Sequence, residues 1–385
     1  MKMLPLWKIA RELRRVLEQL PRLPGQISSY FLGARYYDRF HAPQVKVIEG
    51  NLPGGSRVAI YLVFPRDGLL PSHKHALEYL RENGYAPLVV SNLPVSGADA
   101  EYLKENAWRV IERPNVGYDF GGYRDGVLSL AEKLSGLERL VLLNDSSWFP
   151  LPGSRNWLKE AEGLGVDYAA AATSLGIVRV KPSQYQSIQW TFDPTQRNFH
   201  YGSYAVSLGP ALLRDKRFQR YWTNYPLTKE KNKVVRRGEI GLTRFVVKNG
   251  FSHAATYDIL RLPDDLRSLS DEEVNWHARN LTLLDDRACR ETASKAIEEL
   301  DAERSQEDRE HLIKLIMAVV ARIGVSYTLP HYLYEKHGFT FLKKSLASIS
   351  KQDSDITYEL AKRLGGEGAF IREEIEEIRR RCGYS

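Results

Sequence analysis

The chain has 385 residues, of which 43% are hydrophobic and 27% are charged, and its formal net charge at pH 7 is +7. This length and composition exclude a disordered or fibrous chain and fit a globular protein with a core domain and a substantial further region. The positive charge indicates an anionic partner, such as a phosphorylated substrate, a nucleic acid or an acidic membrane surface.

The first predicted element lies in residues 1–23, where six basic residues stand against two acidic ones and apolar residues recur at helical spacing. This pattern predicts a basic amphipathic helix within an N-terminal segment, 1–50, that either lies in the headgroup region of an anionic membrane or docks on the protein's own surface. The chain shows neither a secretory signal nor an apolar run of about 20 residues, the length of a membrane-spanning helix. Its cysteines, Cys289 and Cys382, indicate neither a disulfide framework nor a zinc site. We therefore expect a cytoplasmic protein, peripheral on the inner face of the cell membrane.

Strand and helix patterns alternate from residue 57 onward. The predicted strands cover 58–64, 86–92, 108–112, a run ending at 144, 168–173, 202–208 and 252–257. The predicted helices cover 72–83, 98–106, 123–134, 155–163, 210–225 and 238–249. This alternation predicts an α/β domain at 51–265, with a mostly parallel sheet flanked by helices. Beyond it the strand signal fades, and charged helical patterns predict a helical C-terminal region, 266–385.

Two segments of this domain carry the functional signal. Residues 115–126 read N-V-G-Y-D-F-G-G-Y-R-D-G, and residues 144–147 read N-D-S-S after an apolar run. Glycines let a backbone approach a ligand closely, and a helix start favours anions, so Arg124 is expected at an anion site there. Ligands of open α/β sheets bind at the carboxyl ends of strands. Each segment alone is equally an ordinary turn, whereas their order and spacing together favour a sugar-nucleotide site.

Several motifs resemble the rhamnan synthesis protein F family, glycosyltransferases of bacterial polysaccharide assembly with a GT-A-like catalytic part. They are N-V-G-Y-D-F-G-G-Y at 115–123, L-L-N-D-S-S-W-F-P at 142–150, Y-G-S-Y-A-V-S-L at 201–208, R-G-E-I-G-L-T at 237–243 and H-Y-L-Y-E-K-H-G-F-T-F-L-K-K at 331–344. The chain departs from the family's usual pattern at Tyr118, where arginine is common, and at Gly202-Ser203. The resemblance implies a GT-A-like (Rossmann-like) fold and an inverting rhamnosyl transfer from a nucleotide-activated rhamnose, dTDP-rhamnose, to a lipid-linked glycan of cell-surface polysaccharide or O-antigen.

Such a reaction needs a base for the acceptor hydroxyl and a cation for the leaving diphosphate. Glu239 is predicted as the base, although a carboxylate at a helix start also simply favours the dipole. Asp145 is predicted as a ligand of Mg²⁺ or Mn²⁺. Without a metal, Arg124, Arg236 or Arg237 would offset the charge. Of Asp119 and Asp125, one is expected to contact the nucleoside and the other to be a helix-start acid.

The remaining predicted site residues belong to two groups. The donor-binding residues are predicted to be Tyr61, Asn115, Gly117, Asp119, Gly121, Gly122, Arg124, Asn144 and Ser146. The acceptor-binding residues, for a lipid-linked or oligosaccharide acceptor, are predicted to be His200, Tyr201 and Ser203.

The sequence also bears on two functions other than catalysis. A non-catalytic partner in glycan assembly that retains the fold stays open, because Asp145 is the one carboxylate of its tetrapeptide. Nucleic-acid binding requires basic residues with interleaved aromatics along the fold domain. The basic excess lies instead in residues 1–23 and 229–237, so no nucleic-acid partner is expected.

Overall fold

The computed structural model of the chain describes residues 33–193, 195–299 and 306–384. The predicted basic helix of residues 1–23 lies outside the described residues. The description begins with a helical segment at 33–40, after which the chain enters the main sheet.

The main sheet has eight strands: β1 (Lys46–Glu49), β2 (Arg57–Val63), β3 (Ala86–Ser91), β4 (Arg109–Glu112), β5 (Arg139–Asn144), β7 (Tyr168–Ala170), β10 (Ala205–Leu208) and β11 (His253–Ala255). Their order in the sheet is β1-β4-β3-β2-β5-β10-β7-β11. Strands β4, β3, β2 and β5 are parallel, and β11 is parallel to β7, whereas β10 is antiparallel to both of its neighbours and β1 is antiparallel to β4. The predicted α/β class, a mostly parallel sheet flanked by helices, is confirmed.

Two small sheets complete the β structure: β6 (Ser147–Trp148) with β12 (Leu342–Lys343), and β8 (Thr173–Ser174) with β9 (His200–Tyr201). The helices of the α/β part are α1 (Pro71–Glu82), α2 (Gly97–Asn106), α3 (Tyr118–Ser129), α4 (Trp157–Gly163), α5 (Pro210–Arg214), α6 (Lys216–Thr223), α7 (Lys231–Arg237) and α8 (Glu239–Lys248). The later helices are α9 (Leu262–Ser268), α10 (Asp271–Arg279), α11 (Arg287–Glu299), α12 (Gln306–Ile323), α13 (Val325–Thr328), α14 (Pro330–His337), α15 (Leu346–Ile349), α16 (Lys351–Arg363) and α17 (Ala369–Cys382). In the part of the chain that the structure describes, none of these helices combines the length and the apolar character that crossing a membrane requires.

Strand β2 separates two hydrophobic clusters, because successive strand residues point to opposite faces. Ile60 and Leu62 belong to the cluster that includes Phe120 of α3. Ala59 and Tyr61 belong to the other cluster, which continues through residue 265 into helices α9 to α12. The predicted boundary near 265 falls inside α9, after the last strand of the main sheet, and the core on this face is shared by residues on both sides of it.

Helix α3 begins at Tyr118, five residues before the predicted start at 123. Gly117 makes this possible, because it adopts the left-handed φ of 86° at the N-cap. Gly121 and Gly122 lie inside the first turns of the helix, where a Cβ would come within 2.1 Å of the Val116 carbonyl oxygen and 2.4 Å of Leu62. These glycines therefore let α3 pack closely against the sheet. The predicted glycine loop is in fact the start of a helix.

The predicted helix 210–225 is also corrected, since it is divided into α5 and α6 at Asp215. The carboxylate of Asp215 accepts a hydrogen bond from the Arg217 amide at 2.7 Å and caps the second helix. A side chain that caps a new helix competes with continuation of the old one.

The C-terminal region joins the sheet through β12. Lys343 pairs with Ser147 and Leu342 with Trp148, and the Lys344 amide donates to the Ser146 carbonyl at 3.0 Å. Residues almost 200 positions apart in the chain therefore lie side by side at the carboxyl end of β5.

Glu374 of α17 fixes this arrangement from the other side. Its carboxylate accepts hydrogen bonds of 2.8 Å from the amide and the hydroxyl of Ser72 and from the indole nitrogen of Trp148. The Lys344 ammonium lies 3.8 Å from the same carboxylate and donates to the Ser72 hydroxyl at 2.8 Å. All of these groups are largely buried. Glu374 thus connects the last helix, the start of α1 and β6.

We expect Glu374→Ala to lower the free energy of unfolding by about 3 kcal/mol, because it leaves buried donors and an ammonium without their acceptor. Chemical denaturation of the full chain measures this change. Glu373→Ala is the matched control, since Glu373 is the exposed neighbour on the same helix, and it is expected to change stability by less than about 0.5 kcal/mol. Equal effects of the two substitutions would contradict this role of Glu374.

Candidate functional site

An open cleft of about 600 Å³ lies at the carboxyl end of the sheet. Its walls come from the start of α3, the end of β5, the region around β8 and β9, and the start of α8. The C-terminal region closes it. The lining residues are 118–120, 144, 146, 172–174, 179, 200, 202–204, 231, 234, 235, 239, 321–327 and 343–345.

The two segments singled out in the sequence meet in this cleft. The side-chain amide of Asn144, at the end of β5, donates to the carboxylate of Asp119 at 2.8 Å. The Asn144 carbonyl oxygen accepts from the hydroxyl of Ser146 at 2.6 Å. Strands β4 and β5 are not neighbours in the sheet, so the early start of α3 is what brings Asp119 across to β5.

Asp119 lies near two other carboxylates in a site that excludes much of the solvent. Burial raises its pKa to about 6, and the nearby carboxylates Asp145 and Glu239 add to the rise, while Lys343 and the Asn144 amide act in the opposite direction. A carboxyl group with such a pKa can exchange a proton near neutral pH or bind a cation.

Glu239 is the first residue of α8, and its partly exposed side chain faces the same cleft. The hydroxyl of Ser203 donates to one carboxylate oxygen at 2.6 Å. The other oxygen lies 3.9 Å from Nε2 of His200. The structure therefore brings the predicted base together with two of the predicted acceptor residues.

Tyr201, the third predicted acceptor residue, points elsewhere. Its ring is buried and its hydroxyl contacts Nδ1 of His253 at 2.8 Å. Strand alternation explains the difference, because neighbouring residues of β9 face opposite sides.

Asp145 turns away from Asn144 toward the start of α1. One of its carboxylate oxygens accepts from the Phe64 amide at 2.7 Å and lies 3.4 Å from Nε2 of His73. Burial by itself would raise the pKa of Asp145, but the hydrogen bond and charge of His73, together with Lys344 and the Phe64 amide, hold it below its usual range. Asp145 is therefore an ionised carboxylate.

Most of the other predicted donor residues do not line the cleft and instead contribute to the fold. Tyr61 is buried in the sheet with its ring edge toward His73, and Gly121 and Gly122 serve the packing of α3. Asn115 is exposed in the turn before α3, and Gly117 provides its N-cap.

The structure differs most clearly from the prediction at Arg124. Because α3 begins at 118, Arg124 lies in its second turn and not at a helix start. Its guanidinium is buried, pairs with Asp38 at 2.8 Å, and donates to the carbonyl of Trp222 at 3.1 Å. It therefore links α3 to α6 and does not line the cleft. Asp125 similarly pairs with Arg113 at 2.6 Å, which leaves Asp119 as the carboxylate of this helix in the cleft.

Lys343 is the residue of this cleft that sequence reasoning missed. Its side chain is 2% exposed, its ammonium donates to the Ser146 hydroxyl at 3.2 Å, and it lies 3.3 Å from the centroid of the Tyr204 ring. Burial lowers its pKa to about 7, although Glu239 and Asp119 attract the charged form. The K-K pair at 343–344 ends the last motif quoted above and was the available signal.

A divalent cation has suitable oxygen donors here, although the described ranges contain no group of three or more His, Cys, Asp or Glu side chains arranged to hold one. Burial is the main cause of the raised pKa of Asp119, and the carboxylates of Asp145 and Glu239 add to it. Mg²⁺ and Mn²⁺ accept carboxylate and hydroxyl oxygens, and Mg²⁺ needs few protein ligands beside a substrate phosphate. Asp119 and Ser146 offer such oxygens in the cleft and fit such an ion, whereas Asp145 does not line the cleft.

We expect Asp119→Asn to raise the free energy of unfolding at pH 7.5 by about 1 to 3 kcal/mol, because the amide keeps the acceptor for Asn144 without the buried charge. The folded pKa of about 6 lies above the usual value of 3.8. The destabilisation of the wild type is therefore complete above about pH 6 and fades as the pH falls toward 4. Chemical denaturation across this pH range measures the difference. Asp264→Asn, at an exposed carboxylate, is the control and should change stability little at any pH.

Comparison with known proteins gives one family match. The sequence model of the family described as Rhamnan synthesis protein F matches residues 88–339. An uncharacterized protein, y4gN, of Sinorhizobium fredii is 33% identical over 260 residues, which are 66% of this chain and 63% of that protein. The Virulence protein VirA of Vibrio anguillarum is 33% identical over 125 residues, 31% of this chain and 36% of that protein. The chain thus spans less than two thirds of the length of these relatives.

One solved structure overlaps most of the chain loosely. It is the mannosyltransferase PcManGT from Pyrobaculum calidifontis in complex with GDP-Man and Mn²⁺, with 11% sequence identity and a TM-score of 0.28. The overlap covers 91% of this chain and 94% of that one. A TM-score this low transfers neither ligands nor residue roles.

Proposed function

The chain belongs to the rhamnan synthesis protein F family, and on that premise we propose that it is a glycosyltransferase of bacterial cell-surface polysaccharide synthesis. The observation that carries the proposal is the cleft in which two carboxylates, Asp119 and Glu239, and one buried ammonium, Lys343, face the same space. A sugar transferase needs this combination of a base and a cation on opposite sides of the reacting carbon.

The proposed reaction is a direct displacement at the anomeric carbon. The oxygen of an acceptor hydroxyl forms the new bond to this carbon, and the bond from the carbon to the diphosphate oxygen breaks, so the diphosphate leaves with the electron pair. Glu239 takes the hydroxyl proton on its partly exposed carboxylate, while Ser203 holds the other oxygen. Attack from the face opposite the leaving group inverts the configuration.

We propose Asp145 and Asp119 as the residues that would hold Mg²⁺ or Mn²⁺, with the hydroxyl of Ser146 nearby. Such an ion, when bound, supplies positive charge that stabilises the departing diphosphate. Asp145 suits this role because it is held ionised and fixed by Phe64 and His73. Asn144 in turn orients Asp119.

The donor and acceptor are proposed from the family and from the charge distribution. A nucleotide-activated rhamnose, dTDP-rhamnose, is the proposed donor, and a lipid-linked glycan of a cell-surface polysaccharide such as lipopolysaccharide O-antigen is the proposed acceptor. Calorimetric titration of dTDP, UDP and GDP, with and without Mg²⁺ or Mn²⁺, tests the donor. Tightest binding of another nucleotide would overturn the choice of dTDP.

Glu239→Gln is expected to lower the rate of sugar transfer by about 10²- to 10⁴-fold, because an amide cannot accept the hydroxyl proton. Donor affinity should stay nearly unchanged, since the base acts on the acceptor and not on the diphosphate. Transfer is measured as nucleotide release that depends on added acceptor, and donor binding is measured by calorimetry.

The matched control is Glu230→Gln at an exposed carboxylate before α7, which should leave both quantities unchanged. If the Glu239 variant turns over like the wild type, Glu239 is not the base. If the wild type binds nucleotide sugars but neither transfers nor hydrolyses any of them, the protein is a non-catalytic partner in glycan assembly.

Membrane association is proposed for the basic segment 1–22, since a lipid-linked acceptor lies at the membrane surface. Deleting residues 1–22 should abolish sedimentation with vesicles that contain phosphatidylglycerol while the circular dichroism and thermal transition of the remainder persist. Unchanged sedimentation after the deletion would show that another surface binds the membrane.

A further inference from the structure

Lys343 is a buried cation without an anionic partner. Its side chain is 2% exposed, yet among the described residues no carboxylate oxygen lies within the 4.0 Å ion-pair distance of its ammonium. The neighbouring Lys344 is also buried and does have a carboxylate, Glu374, at 3.8 Å. The two adjacent lysines therefore differ in that one is neutralised by the protein and the other is not.

The contacts of Lys343 compensate its burial only in part. One donor is satisfied by the Ser146 hydroxyl, and the rings of Tyr204 and Tyr327 lie at 3.3 and 5.5 Å. An ammonium has three donors, and an uncompensated buried charge costs several kcal/mol. Aromatic faces stabilise a cation without neutralising it. The residue therefore keeps capacity for an anion from the cleft.

The carboxylates of the cleft do not contact the Lys343 ammonium, which leaves it available to an anionic ligand. Asp119 and Glu239 attract Lys343 from two walls of the cleft but stay beyond ion-pair distance, each held by its own hydrogen bond from Asn144 or Ser203. Four further cationic residues line the same space, of which Arg322 and Lys344 are paired with carboxylates of the protein. The other two are Arg179 and Lys231. The region between Lys343 and these residues is open to a ligand with more than one negative charge.

We propose that Lys343 is a diphosphate-binding residue, which contacts the leaving diphosphate directly and binds it without requiring a divalent ion. This inference rests on the proposed function for the identity of the natural ligand, a nucleoside diphosphate. The binding of a bare diphosphate does not depend on any transferase activity, so the two proposals fail separately.

The test is calorimetric titration of the full chain with inorganic pyrophosphate and with dTDP, in EDTA at pH 8. Wild-type protein should bind both ligands. Lys343→Met should weaken both affinities by about 10- to 100-fold, the loss expected for one charge-assisted hydrogen bond. Lys336→Met, at a surface lysine paired with Glu273 outside the cleft, is the control and should bind like the wild type.

A second readout separates a direct contact from a structural effect. The pKa of Lys343 is about 7, so the amine is mostly deprotonated at pH 8. The wild type should therefore take up protons when the anion binds, as measured in buffers of different ionisation enthalpy. Asp119, Glu239, Tyr204 and Tyr327 face the same ammonium and stay in the variant. Loss of most of the uptake in Lys343→Met therefore assigns it to Lys343, and retained uptake contradicts the proposal.

A further test uses wild-type protein and needs no substitution. Acetic anhydride should acetylate Lys343 at pH 8, because its ammonium loses a proton near neutral pH, and pyrophosphate should protect it. Mass spectrometry compares this protection with Lys336, which should be modified equally with and without pyrophosphate. Equal modification of Lys343 in both conditions would overturn the proposal.

The outcomes distinguish the subsite from the enzyme. If pyrophosphate binds through Lys343 but no nucleotide sugar is turned over, the subsite stands and the proposed transferase fails. If sugar transfer occurs while binding in EDTA is absent or insensitive to Lys343→Met, the transferase stands and the subsite fails.

Discussion

The pairing of two short strands, β6 and β12, determines what the cleft can do. It places Lys343 beside Ser147, one residue from the hydroxyl that its ammonium contacts. Without this pairing the carboxyl end of β5 would carry carboxylates and an amide but no buried cation. The pairing is itself supported by the Glu374 network, which satisfies the Trp148 indole and the Lys344 ammonium in the interior. A distant helix therefore contributes to the charge balance of the site.

The charges of Asp119 and Lys343 are energetically unfavourable without a ligand. Asp119 is harder to ionise than usual and Lys343 easier to deprotonate, in both cases because burial penalises the charged form. Such arrangements are typical of sites where a ligand completes the electrostatics, and they reduce stability in its absence. Glu239 is the third charged residue of this set and lines the same cleft. The cleft is consistent with selection for ligand binding and not for stability.

The sequence was sufficient for the seven longer strands from β2 to β11 and for most helices of the α/β part, because these depend on local patterns. The rule that parallel strands end at one edge also indicated that the segments around 119 and 144 lie at the same edge, although the contact itself depends on the early start of α3. The sequence was not sufficient for the start of α3, since glycines usually interrupt helices and here permit close packing. The orientation of Arg124 depends on Asp38 and α6, which no local pattern reveals. The position of Lys343 in the site was not predicted, because a two-residue strand has no periodicity and its partner Ser147 lies almost 200 residues earlier.

The hydrophobic cluster on the Tyr61 face of the sheet includes residues from β2 and from helices α9 to α12. A chimeric protein with the sheet of one relative and the C-terminal helices of another would therefore need side chains from both sources that pack together in one hydrophobic core. Recombination within this family should succeed where whole chains are exchanged and fail at crossovers near residue 265. The region around residue 265 is thus a poor place to divide the chain into interchangeable modules.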